Sequence, residues 1–330
     1  MNWIRKVLEQ NLNYQKEFKD IDGNIDIGIF IDYYKSIFLH HQHSMPIEEN
    51  YLSYDEFQKE RPIQKELKDY AYLYKWYPSD TEEEFRINCQ SNNKLLLQRE
   101  GWLNEDGTGV DIDYKINDYG FRCKNFSSEK GIGFFGCSIT FGTGLNQEDT
   151  WPGIVSNHFN TECWNLAMPG KGLDYCAMFS AMFLQDILPN LQAICVYMPP
   201  SGRKSIIVET TEEDEYVSLQ NINLDHDKYL NQQQLPVIPH NRFMKNDFNS
   251  EELLINLLWK SSNTFLNELG YTAILKGIAD DYGIPFVMIN ELDVPLFTES
   301  ADFARDLLHP GKNVHKTIAE RILLDLQIDK

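Results

Sequence analysis

Two arrangements in this 330-residue chain have the residue types and spacing to break an acyl bond. The first is Ser138, which closes the stretch Gly131-Ile-Gly-Phe-Phe-Gly-Cys-Ser138. Ile132, Phe134 and Phe135 suit a buried β-strand, and Gly136, Cys137 and Ser138 interrupt it with small residues, so the stretch reads as a strand ending in a tight turn. A buried parallel strand delivers the residues beyond its carboxyl end to the open edge of an α/β sheet, where such folds hold ligands. A helix starting there would set the hydroxyl beside free N–H groups and a positive dipole end, which favour a developing oxyanion. The second arrangement is Asp306-Leu-Leu-His309-Pro-Gly311. A carboxylate three residues before a histidine can hold one ring nitrogen while the other faces outward, which makes a base of defined tautomer. A serine and such a base together perform nucleophilic acyl transfer.

Each candidate has rivals. Gly131, Gly133 and Gly136 match G-x-G-x-x-G, but a dinucleotide site needs those glycines between a strand and a helix. Here they fall inside the strand, behind polar Ser127-Ser-Glu-Lys130. Ser138 taken alone reads better as a helix cap than as a nucleophile. Cys137 is an alternative nucleophile, as thiols often are. His315, in the expected final helix, is the rival base. His40, His41 and His43 suggest a metal by type, but neighbours in one loop rarely converge on an ion and no nearby Cys or acidic set has ligand spacing, so solvated histidines are expected. The cluster Tyr70, Tyr72, Tyr74, Trp76 and Tyr77 could stack on sugars, although its alternation favours a half-buried strand.

The positioning elements can be read from the apolar pattern. Helices are expected over 3–18 and 26–39, a hairpin-like lead over 114–122, and a domain boundary near Phe126. Beyond it come a helix over 150–159, a strand over 162–166, a long helix over 172–188, a strand over 193–198, an insertion over about 204–250, a helix over 251–282, a strand over 283–289 and an amphipathic helix after Gly311. Strands alternating with helices of this length imply right-handed crossovers and a mostly parallel, three-layer α/β/α sheet. The chain thus divides into an N-terminal α+β extension, 1–125, and an α/β domain, 126–330. Hydrophobic residues make up 42% and aromatics 13%, as a folded core requires. No apolar run reaches the ~20 residues of a spanning helix. A net charge of −20 repels phosphate backbones and anionic membranes, so neither nucleic acid nor membrane is an expected partner. Six scattered cysteines without C-x-x-C argue against zinc and a disulfide framework. The first residues contain no signal-peptide h-region, and a cytoplasmic, reducing location is expected.

Ser138 in a G-x-S turn after the first strand of the α/β domain, Asn165-Leu-Ala-Met-Pro-Gly170 after the next apolar stretch, and Asp306-x-x-His309 near the C-terminus resemble the SGNH (GDSL-type) hydrolase family. The resemblance spans about residues 126–330 and implies a flavodoxin-like sheet. It implies Ser138 as nucleophile, His309 as general base, Asp306 as its orienter, and the backbone N–H groups of Ser138 and Gly170 as oxyanion donors. No metal or organic cofactor is implied. Two positions depart from the family pattern: Gly-Cys-Ser replaces Gly-Asp-Ser, and Pro199-Pro-Ser-Gly-Arg203 stands where a Gly-x-Asn normally completes the oxyanion hole. Ser201 or Arg203 could donate instead, or the site could be crippled. The expected activity is that of a serine esterase, acting through an acyl-enzyme on a small-molecule or carbohydrate ester, acetyl esters included. The alternative is a degenerate fold kept as a binding or structural module.

Overall fold

A computed structural model of the protein describes residues 69–77, 80–104, 106–117, 119–184, 188–199, 203–209, 217–223, 261–296 and 302–326. The helices expected over 3–18 and 26–39, together with His40, His41, His43 and Ser201, lie outside these residues. The first described elements are β1 (Tyr72–Tyr74), α1 (Glu82–Gln90), α2 (Lys94–Arg99) and β2 (Tyr114–Ile116). Helix α1 starts where sequence chemistry says it should: the Thr81 hydroxyl accepts the Glu84 N–H at 3.2 Å, and three glutamates occupy the first turn.

Strands β1 and β2 pair antiparallel, Tyr72 opposite Ile116 and Tyr74 opposite Tyr114. Within the hairpin-like lead expected over 114–122, the described residues form one strand, β2, and a turn closed by the Asn117 N–H on the Phe121 carbonyl at 2.8 Å, not two paired strands. Asn117 ends β2 by accepting the N–H groups of Tyr119 and Phe121 on its side-chain oxygen, and Phe121 and Cys123 then turn into the core. Among the described residues the partner of β2 is β1, far upstream. The tyrosine cluster is a strand and its continuation. Tyr74 is buried, and the Tyr77 ring packs 5.2 Å from that of Tyr114 and 4.6 Å from that of Phe141.

The rest of the described chain contains β3 (Gly131–Phe135), α3 (Ser138–Phe141), a 3-10 turn (Gln147–Asp149), α4 (Trp151–Phe159), β4 (Glu162–Asn165), α5 (Leu173–Phe179), β5 (Leu191–Tyr197), the hairpin β6 (Arg203–Glu209) and β7 (Val217–Asn223), α6 (Ser261–Tyr282), β8 (Phe286–Ile289) and α7 (Lys312–Asp325). Four strands form a parallel sheet in the order β4-β3-β5-β8, with Phe134 opposite both Asn165 and Cys195, and Cys195 opposite Val287. Alternation along the strands feeds two cores, as the pleat requires. Ile132, Phe134, Ala193 and Cys195 face α4 and α7, whereas Phe135, Ile194 and Val196 face α5 and α6. The architecture is thus a three-layer α/β/α sandwich with a flavodoxin-like strand order.

The glycines of the G-x-G-x-x-G match lie within or at the end of β3. A Cβ at Gly131 would stand 1.9 Å from the Trp164 indole nitrogen, so close packing explains this glycine without a nucleotide. The long helix expected over 172–188 instead ends at Phe179 and continues as a π-helical turn, Ser180–Leu184. The Ser180 hydroxyl donates to the Cys176 carbonyl at 2.8 Å, a back-bond that loosens the helical ladder where the change occurs. The segment expected as an insertion carries the antiparallel hairpin β6–β7, in a sheet of its own. Among the described residues no helix is long and apolar enough to cross a membrane.

Candidate active site

The sheet changes direction of strand addition at β3: β4 joins on one side of it and β5 on the other. In open α/β folds that switch point opens the crevice at the carboxyl ends of the strands. Ser138 follows β3 there, as the first residue of the single-turn helix α3. The turn is built by Gly136, whose φ is +155° and whose Cβ, if present, would sit 2.0 Å from the Thr140 hydroxyl and 2.9 Å from the Tyr197 carbonyl oxygen. Only glycine fits between strand and helix at this point. The N-cap position belongs to Cys137, which makes no side-chain capping bond, so Ser138 is not the cap. The Cys137 thiol is buried in the core beneath the sheet with Ile132, Phe134 and Tyr197, which does not favour it as nucleophile. The Ser138 carbonyl accepts from Gly142 and Thr143, closing the turn.

The loop after β4 is tied to that turn. Asn165, fully buried, donates from Nδ2 to the Thr140 carbonyl at 3.0 Å and accepts the Ala167 N–H at 3.3 Å. Met168 N–H reaches the Gly136 carbonyl at 3.4 Å, and Gly170 follows with φ +79°. Gly170 and Ser138 thus follow adjacent strands at one edge. Beside them Lys171 is almost completely buried; burial pushes its ammonium down to about 7, against the pull of the Asp174 carboxylate. Pro199 follows β5 at the same edge, and Arg203 opens β6 opposite Asn223.

Asp306 and His309 meet directly. Residues 302–311 form a tight loop closed by the Phe303–Pro310 bridge and by Ala304 N–H on the His309 carbonyl at 2.9 Å. The spacing works through a loop rather than a helical turn, because Leu307 adopts a left-handed φ of +59°. Asp306 Oδ1 accepts the N–H groups of Leu308 and His309 at 3.1 and 3.0 Å, and Oδ2 pairs with His309 Nδ1. The Asp306 side chain is 1% exposed and that of His309 18%, so the carboxylate is shielded while the ring reaches the surface. With Nδ1 engaged by a carboxylate, Nε2 is the nitrogen free to take a proton. Among the described residues no hydrogen bond joins His309 to the Ser138 hydroxyl; such contacts commonly tighten only with substrate.

The loops carrying the two groups touch at Gly144. Its carbonyl accepts the Arg305 N–H at 3.1 Å, and a Cβ on it would lie 2.7 Å from Ala304 Cβ. His315, by contrast, faces inward. Its Nδ1 accepts the N–H of Trp151, the first residue of α4, at 3.1 Å, and its Nε2 is buried without a partner among the described residues. Burial, reinforced by the charges of His309 and Arg122, holds this imidazole down to about 3, so it is a neutral helix cap and no proton acceptor for the site.

Two contributors carry little signal in the sequence. Arg122 is fully buried, and its guanidinium donates to the carbonyls of Phe141, Gly142 and Leu145 at 3.1, 2.6 and 2.5 Å, gathering the end of α3 and the loop beyond. Lys171 stands next to Gly170, but nothing in Pro-Gly-Lys marks it as buried.

No protein family matches the chain in sequence, and neither does any curated protein. Solved structures similar to it include a protein described as lipolytic and of the G-D-S-L family, from Desulfitobacterium hafniense DCB-2, at 13% identity over 60% of this chain and 99% of that one, TM-score 0.29. Another is a catalytic mutant of an acetylxylan esterase from Geobacillus stearothermophilus, at 12% identity over 62% of this chain and 97% of that one, TM-score 0.28. A Lactobacillus plantarum protein matches at 16% identity over 60% and 96%, TM-score 0.28. At such scores these are similarities and establish neither family nor activity.

Proposed function

We propose that the protein is a serine esterase of the SGNH type. The observation that carries this reading is the Asp306–His309 pair, held in a loop that abuts the Ser138 loop at Gly144. In the reaction, Ser138 Oγ attacks the ester carbonyl carbon as His309 Nε2 takes its proton, and Asp306 stabilises the resulting imidazolium. The N–H groups of Ser138 and Gly170 receive the negative charge on the carbonyl oxygen. Collapse breaks the bond to the alkoxide, which leaves with the proton from His309. Water, deprotonated by the same nitrogen, then releases the acid and restores Ser138. Ser201 and Arg203 are the candidates for the side-chain donor that the family's asparagine would supply. The substrate class is a small-molecule or carbohydrate ester, with acetyl esters the first to test, and no metal or organic cofactor takes part.

Turnover of p-nitrophenyl acetate by the purified protein tests the reading against Ser138→Ala. The expected result is hydrolysis that falls by at least about 10³-fold in the variant. Equal rates would remove Ser138 as nucleophile and leave a binding module, the alternative that the absent asparagine keeps open.

A further inference from the structure

The residues before the α/β unit reach the 302–311 loop at several points: the Trp102 indole donates to the Phe303 carbonyl at 2.8 Å, Glu100 accepts the Phe303 N–H at 3.2 Å, and Asp80 holds Arg305. Asp80 accepts from Arg305 through Nε at 3.1 and 3.2 Å and through Nη2 at 2.6 Å, with both side chains 1% exposed. The rest of the Arg305 guanidinium donates to the Val110 and Lys75 carbonyls and lies 3.9 Å from the centre of the Trp76 ring. Asp80 Oδ2 also accepts the Tyr114 hydroxyl at 2.6 Å, and that hydroxyl in turn accepts the Gly144 N–H at 2.8 Å. Since Arg305 N–H donates to the Gly144 carbonyl, the bonds close into a ring: Gly144 to Tyr114, Tyr114 to Asp80, Asp80 to Arg305, and Arg305 back to Gly144. One side of this ring is the loop that follows Ser138. The other is the residue preceding Asp306.

We propose that Asp80 is a positioning residue that sets the Ser138 loop in register with the Asp306–His309 loop, acting through Tyr114 on one and Arg305 on the other. The inference rests on the reading of Ser138 and His309 as nucleophile and base. A buried, bidentate carboxylate–guanidinium pair fixes direction as well as distance, and a misplacement of about 1 Å between reacting groups can cost about 100-fold in rate. Packing alone does not call for the ring. Trp102, Leu97, Ile112 and Tyr114 already bury an apolar surface against Phe141, Leu145 and Ala304.

The test compares kcat and KM on p-nitrophenyl acetate for wild type, Tyr114→Phe, Asp80→Asn and a control on the far face of the sheet, Ile278→Val, each well below its melting temperature. Tyr114→Phe removes a single oxygen and serves if Asp80→Asn does not fold. We expect kcat to fall about 10-fold or more in Tyr114→Phe, with KM within twofold and the control unchanged. A folded Tyr114→Phe with wild-type kcat, or with the change confined to KM, would overturn the proposal. If wild type itself neither hydrolyses the ester nor reacts with a fluorophosphonate, the esterase reading fails separately, and amide hydrogen exchange reads the ring on its own. In Tyr114→Phe the Gly144 and His309 N–H groups should then exchange faster together; acceleration at Gly144 alone would overturn the coupling.

Discussion

At Asp306 the two carboxylate oxygens divide the work, with Oδ1 holding the Leu308 and His309 amides and Oδ2 the imidazole. In Asp306→Asn the first set can persist, but the amide presents a donor where the ring nitrogen needs an acceptor, and the wrong tautomer results. We expect a folded variant whose kcat falls by about 10⁴, with KM little changed, in steady-state ester hydrolysis. A loss confined to KM would instead mark Asp306 as a substrate contact. The three-residue spacing of Asp306 and His309 is legible in the sequence because any compact turn brings such residues together. The left-handed Leu307 that makes this turn is not legible, since leucine rarely adopts that conformation and only the surrounding bridge imposes it. Ser138 is legible through Gly136, where the interrupted apolar run already demanded a sharp turn.

Among the elements, α4 and α7 are joined by His315, whose imidazole caps the first N–H of α4 from within α7. Its folded value lies near 3, far below that of a free imidazole, so between those limits the unfolded chain binds a proton that the folded chain refuses. Its neutral form therefore contributes stability above the unfolded value, and that contribution is lost as the pH falls from about 6.5, at up to about 1.4 kcal/mol per unit. Thermal melts of wild type and His315→Asn, which keeps an acceptor without titrating, should show a smaller loss in the variant between pH 6.5 and 4.5. Parallel losses in both would assign the acid sensitivity elsewhere. The sheet strands and α7 are legible because apolar runs bounded by Gly, Pro or Asn announce them. The β1–β2 pairing is not, for no local pattern links Tyr72–Tyr74 to Tyr114–Ile116 across two intervening helices.

The whole molecule brings to one edge groups that lie far apart along the chain. The four-stranded order puts Ser138 and the loop from Leu166 to Gly170 after neighbouring strands, and the loop before α7 returns Asp306 and His309 to the segment after Ser138. That much is implied by alternating strands and helices. The part played by the upstream residues is concealed: Asp80 lies in a polar turn, and neither its burial nor its distance from Arg305 leaves a periodic trace. On the proposed reading, reactivity at Ser138 requires all these parts at once, because an ordinary serine hydroxyl does not attack phosphorus quickly and a base-activated one does. Peptide mapping after brief exposure to a fluorophosphonate probe is therefore the most direct measurement. A single adduct on Ser138, abolished in Ser138→Ala and strongly slowed in His309→Ala, is the expected result, whereas no adduct, an adduct on Cys137, or labelling that survives Ser138→Ala would contradict the account.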